Sequence, residues 1–561
     1  MIPSSIIDLV AICAKKGVHH VILSPGSRCA PLTLAFARHP DIQARTISDE
    51  RSAAFIALGM AQQLKKPVAL VCTSGSAALN YYPAIAEAFF QEIPLLILTA
   101  DRPCEWIDQF DGQTIFQQDV YGKHVKASYE LPDQTNQADL AWHSSRLVNE
   151  ALNVAMQAPL GPVHINIPLR EPFYPPKEEV IVFPENPKVF NRIARIADLD
   201  PTTYTQLSSR LQLTKKILVI VGQQDPNKAI QQLLDQLAQE KHVVVVTDTI
   251  SNLQSEHTIS LHDHWLGNDA IAATLKPDLI LSFGKSIISK PLKLFLRKCK
   301  VPHWHIQEEG KTRDTFQSLT QILPSSPTLF LTWLTQNLGD QDIEFKSSWV
   351  ALENLVAANL TPILQSLPFG EYAALDCVVK HIPRIGKIHL ANSMSVRYIN
   401  QLGKREQELY CNRGTSGIDG SSSTAVGCTF TTKDPVTLIT GDLAFFYDRN
   451  AFWHNYTMPN LRIILLNNHA GGIFRLIEGP ANQPELEEFF ETKQSLTADH
   501  LATEFGFFYS KVTTQDELST ALSDFYSPGI HPKILEIETS SPKNAEILKS
   551  VKEKIKQILE S

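Results

Sequence analysis

The chain has no Cys-x-x-Cys pair, and its eight cysteines are scattered without zinc-ligand spacing. That pattern excludes a disulfide scaffold and a zinc-ribbon class, and it predicts buried thiols in a reducing cytosol. No apolar run approaches the ~20 residues needed to span a bilayer. Positive charge is not in excess either, since 51 Lys and Arg face 59 Asp and Glu for a net charge of -8. General electrostatics therefore recruits neither nucleic acid nor an anionic membrane, and an anionic ligand must be met by local basic residues. The start, "MIPSSIIDLVAICAKKG", lacks a basic leader, and Asp8 interrupts its apolar stretch. It reads as a helix rather than a signal peptide, so a cytoplasmic location is expected. The Gly-x-Gly-x-x-Gly dinucleotide fingerprint is missing from the middle of the chain, where no nucleotide is expected.

What is present is a globular composition, 43% hydrophobic and 20% charged, in 561 residues. That length exceeds one core and suits three or four domains. Short apolar runs alternate with helix-period segments, as parallel β-α units require. One set is "HHVILSP", "PVALVCTS", "PLLILTAD" and "GPVHINIP"; a second is "KKILVIVGQQ", "KHVVVVTD", "PDLILSFG" and "VPHWHIQ". A third is "GKIHLAN", "RGTSGIDG", "DPVTLITGD", "LRIILLNN" and "PKILEIET". The Pro-rich stretch "REPFYPPKEEVIVFPENPK" reads as a linker after the first set, and a mainly helical bridge precedes the third. The expectation is an α/β protein of three doubly wound parallel-sheet domains, at 1–185, 186–340 and 341–561, with the outer two alike in rhythm. In the closing segment Ile547, Val551, Ile555 and Ile558 share one helix face.

Open α/β sheets bind ligands at the carboxyl ends of their strands. Gly441 and Asp442 end one strand of the third set, and Asn467 and Asn468 end the next. If those strands are parallel neighbours, Asp442 and Asn468 converge and offer hard oxygen atoms. Such a sparse site suits Mg²⁺, which completes its octahedron with phosphate oxygens and water. Gly441 lets a phosphate approach the backbone, and a helix starting near Ala444 points its amides the same way. Taken alone, a Gly-Asp pair reads as a helix cap; the paired Asn after the second strand favours the metal.

Gly-Asp, then Asn-Asn some 26 residues later, with "HAGGIF" following, resembles the signature of thiamine diphosphate-dependent enzymes. The resemblance implies that Asp442, Asn468 and the carbonyl of Ala470 ligate Mg²⁺ or Mn²⁺, which grips the cofactor diphosphate. It further implies cofactor contacts at Gly417, Ile418, Gly441, Leu443, Gly471 and Ile473, Ile418 propping the cofactor in a bent form. Leu443 stands where the broad family usually has a third glycine.

In "SDERSAAFIALGMAQQLKKP" the residues Ala53, Ile56, Ala57, Met60, Ala61 and Leu64 mark one buried helical stripe, and one turn back it reaches Glu50. An acid there commonly favours the helix dipole; on the apolar side it would be buried, with a raised pKa, and able to share a proton with a heterocycle. By the resemblance Glu50 activates the cofactor through its pyrimidine ring. The first domain is then the pyrimidine-binding one and the third the diphosphate-binding one. Each site is completed across two subunits of a homodimer or dimer of dimers.

Arg28, Arg102, Arg397 and Arg413 each follow an expected strand, and four arginines at one sheet edge suit a substrate with several carboxylates. "SPGSR", "TADRP" and "NRGTSGIDG" with Gly-Asp-Leu resemble the branch that joins 2-oxoglutarate to isochorismate, with loss of CO₂, in menaquinone and phylloquinone synthesis. By that resemblance Ser393, Arg397 and Arg413 hold the succinyl side. Ser27, Arg28, Arg102 and Lys290 hold the isochorismate carboxylates, with Lys285 the alternative to Lys290. Gln113 lies near the reacting centre, and Phe474 supplies an apolar wall. The rival readings are another thiamine-dependent 2-oxo-acid decarboxylase or acetolactate synthase relative, and an inactive scaffold relative. The histidines at 19–20 begin a strand, those at 262–264 and 303–305 fall in the middle domain without supporting acids or cysteines, so no metal site is expected there, and His469 has no expected acid-base role.

Overall fold

The computed structural model describes residues 2–133, 137–177, 179–193, 197–339 and 344–561; the expected boundary between 340 and 341 lies outside them. The first sheet comprises β1 (His20–Leu23), β2 (Gln43–Thr46), β3 (Val68–Cys72), β4 (Leu95–Asp101), β5 (Ser128–Glu130) and β6 (Val163–Pro168), in the order β2-β1-β3-β4-β6-β5. The second comprises β7 (Ile217–Val221), β8 (Val243–Thr247), β9 (Leu279–Phe283), β10 (His303–Ile306) and β11 (Leu319–Leu323), in the order β11-β10-β9-β7-β8. The third comprises β12 (Lys387–Leu390), β13 (Glu408–Cys411), β14 (Val436–Gly441), β15 (Leu461–Asn467), β16 (Phe508–Val512) and β17 (Lys533–Glu538), in the order β13-β12-β14-β15-β17-β16. Every described pairing in the three sheets is parallel.

Central strands such as β3 (VALVC) and β7 (ILVIV) are buried at every position. Helices cover both faces of a parallel sheet, so no strand face is left for polar residues. The outer sheets have the same strand order, which fulfils the expectation drawn from their rhythm. The bridge is helical over Phe345–Gln365 and Glu371–His381. Residues 170–177 and 179–188 form neither helix nor strand, yet Ile181 and Phe183 pack on the first core, so this segment is strapped down rather than free.

Helix Glu50–Leu64 departs from the one-stripe expectation: every residue from Ser52 to Gln62 is buried. One side lies on its own sheet, and the other meets helix Ser421–Thr429 of the third domain. A Cβ on Gly59 would stand 2.1 Å from the Thr424 carbonyl oxygen, and one on Gly427 would stand 2.0 Å from that of Ile56. The two backbones touch because both contact positions are glycine. Phe55 and Ile56 thereby share one continuous core with Val426 and Phe445.

All eight cysteines are free; six are buried, Cys377 is half-buried, and Cys104, against expectation, is exposed. Cys104 begins the short 3-10 helix Cys104–Trp106 beyond the end of β4, none of whose residues is buried. Among the described residues no helix is long and apolar enough to cross a membrane.

Candidate active site

β14 and β15 are parallel neighbours, with Gly441 opposite Leu466, so the tips carrying Asp442 and Asn468 converge. Asp442 is the first residue of helix Asp442–Tyr447, which starts two residues before the expected Ala444. Its buried carboxylate accepts from the Leu443 amide at 2.8 Å and from Gln494 Nε2 at 2.7 Å. Burial pushes its pKa up despite those bonds. A carboxylate so stripped of water gains most from a cation. Asn468 Oδ1 accepts from the Ala470 amide at 3.0 Å, and the Ala470 carbonyl accepts from the Gly472 amide, also at 3.0 Å. A Cβ on Gly441 would meet nothing within 4 Å, so its backbone borders open space. One carboxylate, one amide oxygen and one carbonyl beside an open backbone fit a Mg²⁺ ion that takes its other ligands from phosphate and water.

These groups line a cavity of about 650 Å³. Leu443 and Gly471 line it beside the oxygen atoms; Ser393, Arg397, Arg413 and Ile418 also line it; Ile473, Phe474 and Phe490 are among its apolar residues. Gly417 lies next to it, its carbonyl accepting from Asn392 Nδ2 at 2.7 Å. Both arginines have neutral partners. Arg397 Nη1 donates to the Ser393 carbonyl at 2.5 Å, and Arg413 Nη1 to Asn392 Oδ1 at 2.9 Å. Arg413 Nε is buried without a partner. Burial, then repulsion from Arg413, lowers the Arg397 pKa. Two crowded guanidinium groups, one with an unused buried donor, form a receptor for carboxylate. Ser393 and Ser416 hold φ of 70° and 64°, a conformation unusual outside glycine that recurs at ligand sites.

The remaining expected residues lie elsewhere in the chain. Ser27, Arg28, Arg102 and Gln113 gather beyond the carboxyl edge of the first sheet, so the four arginines divide between two sheets instead of sharing one edge. Arg28 donates to the Leu169 carbonyl at 2.6 Å and stacks 4.8 Å from the Phe173 ring centre, while Ser27 Oγ lies 3.1 Å from the Tyr174 hydroxyl. Arg102 donates to the Gly112 carbonyl at 3.0 Å and pairs with Asp111 at 2.8 Å. Gln113 abuts Gly75, whose Cβ would stand 3.2 Å from the Gln113 Cα.

Glu50 is half-exposed in the single chain, not buried, and is outside the cavity lining. Packing against Ser421–Thr429 fixes its helix, and its neighbours lie against residues 447–450. Arg51 donates to the Tyr447 carbonyl at 2.8 Å, and Asp49 accepts from Asn450 at 2.7 Å. Lys290 is exposed at the start of helix Lys290–Cys299. Lys285 donates to the Gln91 carbonyl and stands 3.7 Å from Glu92, with burial lowering its pKa.

Residues 8–126 match the family model described as thiamine pyrophosphate enzyme, N-terminal TPP binding domain; residues 200–388 match the middle domain of thiamine pyrophosphate. The chain is 46% identical over 560 residues to the 2-succinyl-5-enolpyruvyl-6-hydroxy-3-cyclohexene-1-carboxylate synthase of Cytophaga hutchinsonii, covering 99% of each. It is 40% identical to the synthase of the same name from Christiangramia forsetii, over 96% of this chain and 97% of that one. The chain belongs to this synthase family. It is a thiamine diphosphate-dependent enzyme, as the Asp442 and Asn468 motif implied. The crystal structure of benzoylformate decarboxylase from Polynucleobacter necessarius is similar in fold, with a TM-score of 0.70, 18% identity, and coverage of 95% of this chain and 98% of that one.

Three residues at or beside the synthase cavity, Asn392, Glu371 and Gln494, escaped the reading of the sequence. Asn392, at the tip of β12 in "ANSMSVR", could have been found by its place at a strand end. Gln494 and Glu371 gave no such signal. Glu371 lines the cavity and accepts from Asn468 Nδ2 at 2.7 Å. Burial pushes its carboxyl up to about 7 against the hydrogen bond from Asn468.

Proposed function

We propose that the chain decarboxylates 2-oxoglutarate on thiamine diphosphate and adds the four-carbon succinyl unit to isochorismate, giving 2-succinyl-5-enolpyruvyl-6-hydroxy-3-cyclohexene-1-carboxylate and CO₂. The observation that carries this reading is the pairing, in one cavity, of oxygen ligands at Asp442 and Asn468 with two guanidinium groups, Arg397 and Arg413, the second of which keeps a buried Nε donor unused. When bound, thiamine diphosphate supplies a nucleophilic carbon and a sink for the electron pair released by loss of CO₂.

Asp442, Asn468 and the Ala470 carbonyl hold Mg²⁺ or Mn²⁺ against the diphosphate, with Gly441 leaving the backbone free to approach it and Gly417 and Gly471 contacting the cofactor. Leu443, Ile418 and Ile473 pack against the cofactor, and Phe474 keeps water from the reacting carbon. Arg397, Arg413 and Ser393 bind the distal carboxylate of 2-oxoglutarate, which orients the 2-oxo acid. Ser27, Arg28, Arg102 and Lys290 bind the carboxylates of isochorismate, and Gln113 lies beside the acceptor carbon. Glu50 holds a proton against the pyrimidine nitrogen.

Glu50 is outside the cavity of its own chain, which supports a homodimer or dimer of dimers whose sites are completed across subunits. Exposed Trp106, Phe110 and Phe116, in the loop with Arg102 and Gln113, support burial of that edge by a second copy. In this reading 1–185 binds the pyrimidine, 341–561 the diphosphate, and 186–340 joins them. The eight unpaired cysteines support a cytoplasmic location.

The test incubates the protein with 2-oxoglutarate, Mg²⁺ and thiamine diphosphate, with and without isochorismate. A ring adduct formed only with isochorismate is expected. Release of aldehyde without adduct would instead favour a simple decarboxylase.

A further inference from the structure

Asn468 carries an oxygen and a nitrogen of nearly equal size on one freely turning amide, and only the oxygen can ligate a cation. Its Nδ2 donates to Glu371 Oε1 at 2.7 Å. With Glu371 ionised, turning the amide over would set two acceptors face to face, so the carboxylate dictates which end faces it. Glu371 is itself 2% exposed and held from several sides. Its backbone amide donates to Asn544 Oδ1 at 3.1 Å. The preceding Gly370 packs so closely on the terminal helix that a Cβ there would stand 2.5 Å from Ile547 Cδ1. Through Asn544 and Ile547, helix Ser541–Glu560 thus anchors the carboxylate that orients Asn468.

We propose that Glu371 is a positioning residue, holding Asn468 with Oδ1 toward the divalent cation. This rests on the reading of Asp442 and Asn468 as metal ligands. The position of an acceptor does the work, not negative charge. Glu371→Gln keeps the reach and one acceptor oxygen but can also turn a donor toward Asn468, whereas Glu371→Asp stays acceptor-only and withdraws the acceptor by a methylene.

The experiment measures Mn²⁺ affinity by electron paramagnetic resonance on the full chain with thiamine diphosphate present. Cofactor-induced thermal stabilisation is followed in parallel. Glu371→Asp is expected to bind Mn²⁺ about 10-fold or more weakly, and Glu371→Gln, which reaches Asn468 but can flip with it, to fall between that variant and the native chain. The reverse ranking, or native affinity in Glu371→Asp while Asn468→Ala loses it, overturns the proposal and leaves the metal site standing. Mn²⁺ affinity unchanged in both Asp442→Ala and Asn468→Ala overturns the metal reading, and the proposal with it.

Discussion

Arg397 and Arg413 line one cavity without an acidic partner among the described residues. Each is held by neutral oxygen, and one keeps a buried N–H unused. Replacing Arg397 by Ala should raise the KM for 2-oxoglutarate about tenfold or more, the worth of hydrogen bonds to a charged group. The affinity for thiamine diphosphate should stay unchanged; steady-state kinetics with a cofactor titration measures both, and an unaltered KM removes Arg397 from its role. Asp448 provides a pH test. It is fully buried, accepts from the Ser423 amide and hydroxyl at 2.7 and 2.8 Å, and burial raises its pKa from 3.8 to about 7. A folded pKa above the unfolded one means that this group favours folding at low pH and loses that contribution as pH rises toward 7. From about pH 4 to 7, the Tm of Asp448→Asn should therefore gain on that of the native chain. A constant difference across this range would show that the carboxyl does not titrate there.

At the scale of helices and strands, the glycine contact between Glu50–Leu64 and Ser421–Thr429 makes a sharp claim. Gly427→Ala thrusts a methyl at a backbone carbonyl that cannot swing aside, and should cost about 2 kcal/mol or more in urea unfolding. Gly479→Ala, whose Cβ would meet nothing within 4 Å, should change stability by less than about 0.5 kcal/mol. Equal effects would refute the contact. The same helix marks where sequence reasoning stopped. The tips of β14 and β15 were legible because buried parallel strands read as unbroken aliphatic runs that end abruptly in Gly-Asp and Asn-Asn. The all-round burial of Ser52 to Gln62 was not, because the second covering element lies more than 350 residues away and leaves no periodic trace. Glu371 was hidden for the same reason, standing 97 positions from the Asn468 it holds. The arginines were legible one by one as strand-end residues, but a chain cannot say which sheet edges face each other.

For the whole molecule, the separation of Glu50 from the cavity predicts complementation. Glu50→Gln and Asp442→Ala chains, each inactive alone, should regain roughly a quarter of native activity when randomly mixed as dimers, because half the dimers contain one intact site. No recovery in verified mixed dimers would assign Glu50 and Asp442 to a single chain's site. Thiamine diphosphate with Mg²⁺ should raise the Tm of the native protein, and of Asp442→Ala much less, as linkage to the folded state requires.

The shared interior of the outer domains also limits how the enzyme can breathe. Separating them like jaws would expose Phe55, Ile56, Val426 and Phe445 to water together and pull apart two backbones in direct contact. Within one chain, motion is therefore cheaper in segments outside that seam, such as the one carrying exposed Trp106, Phe110 and Phe116, than across it.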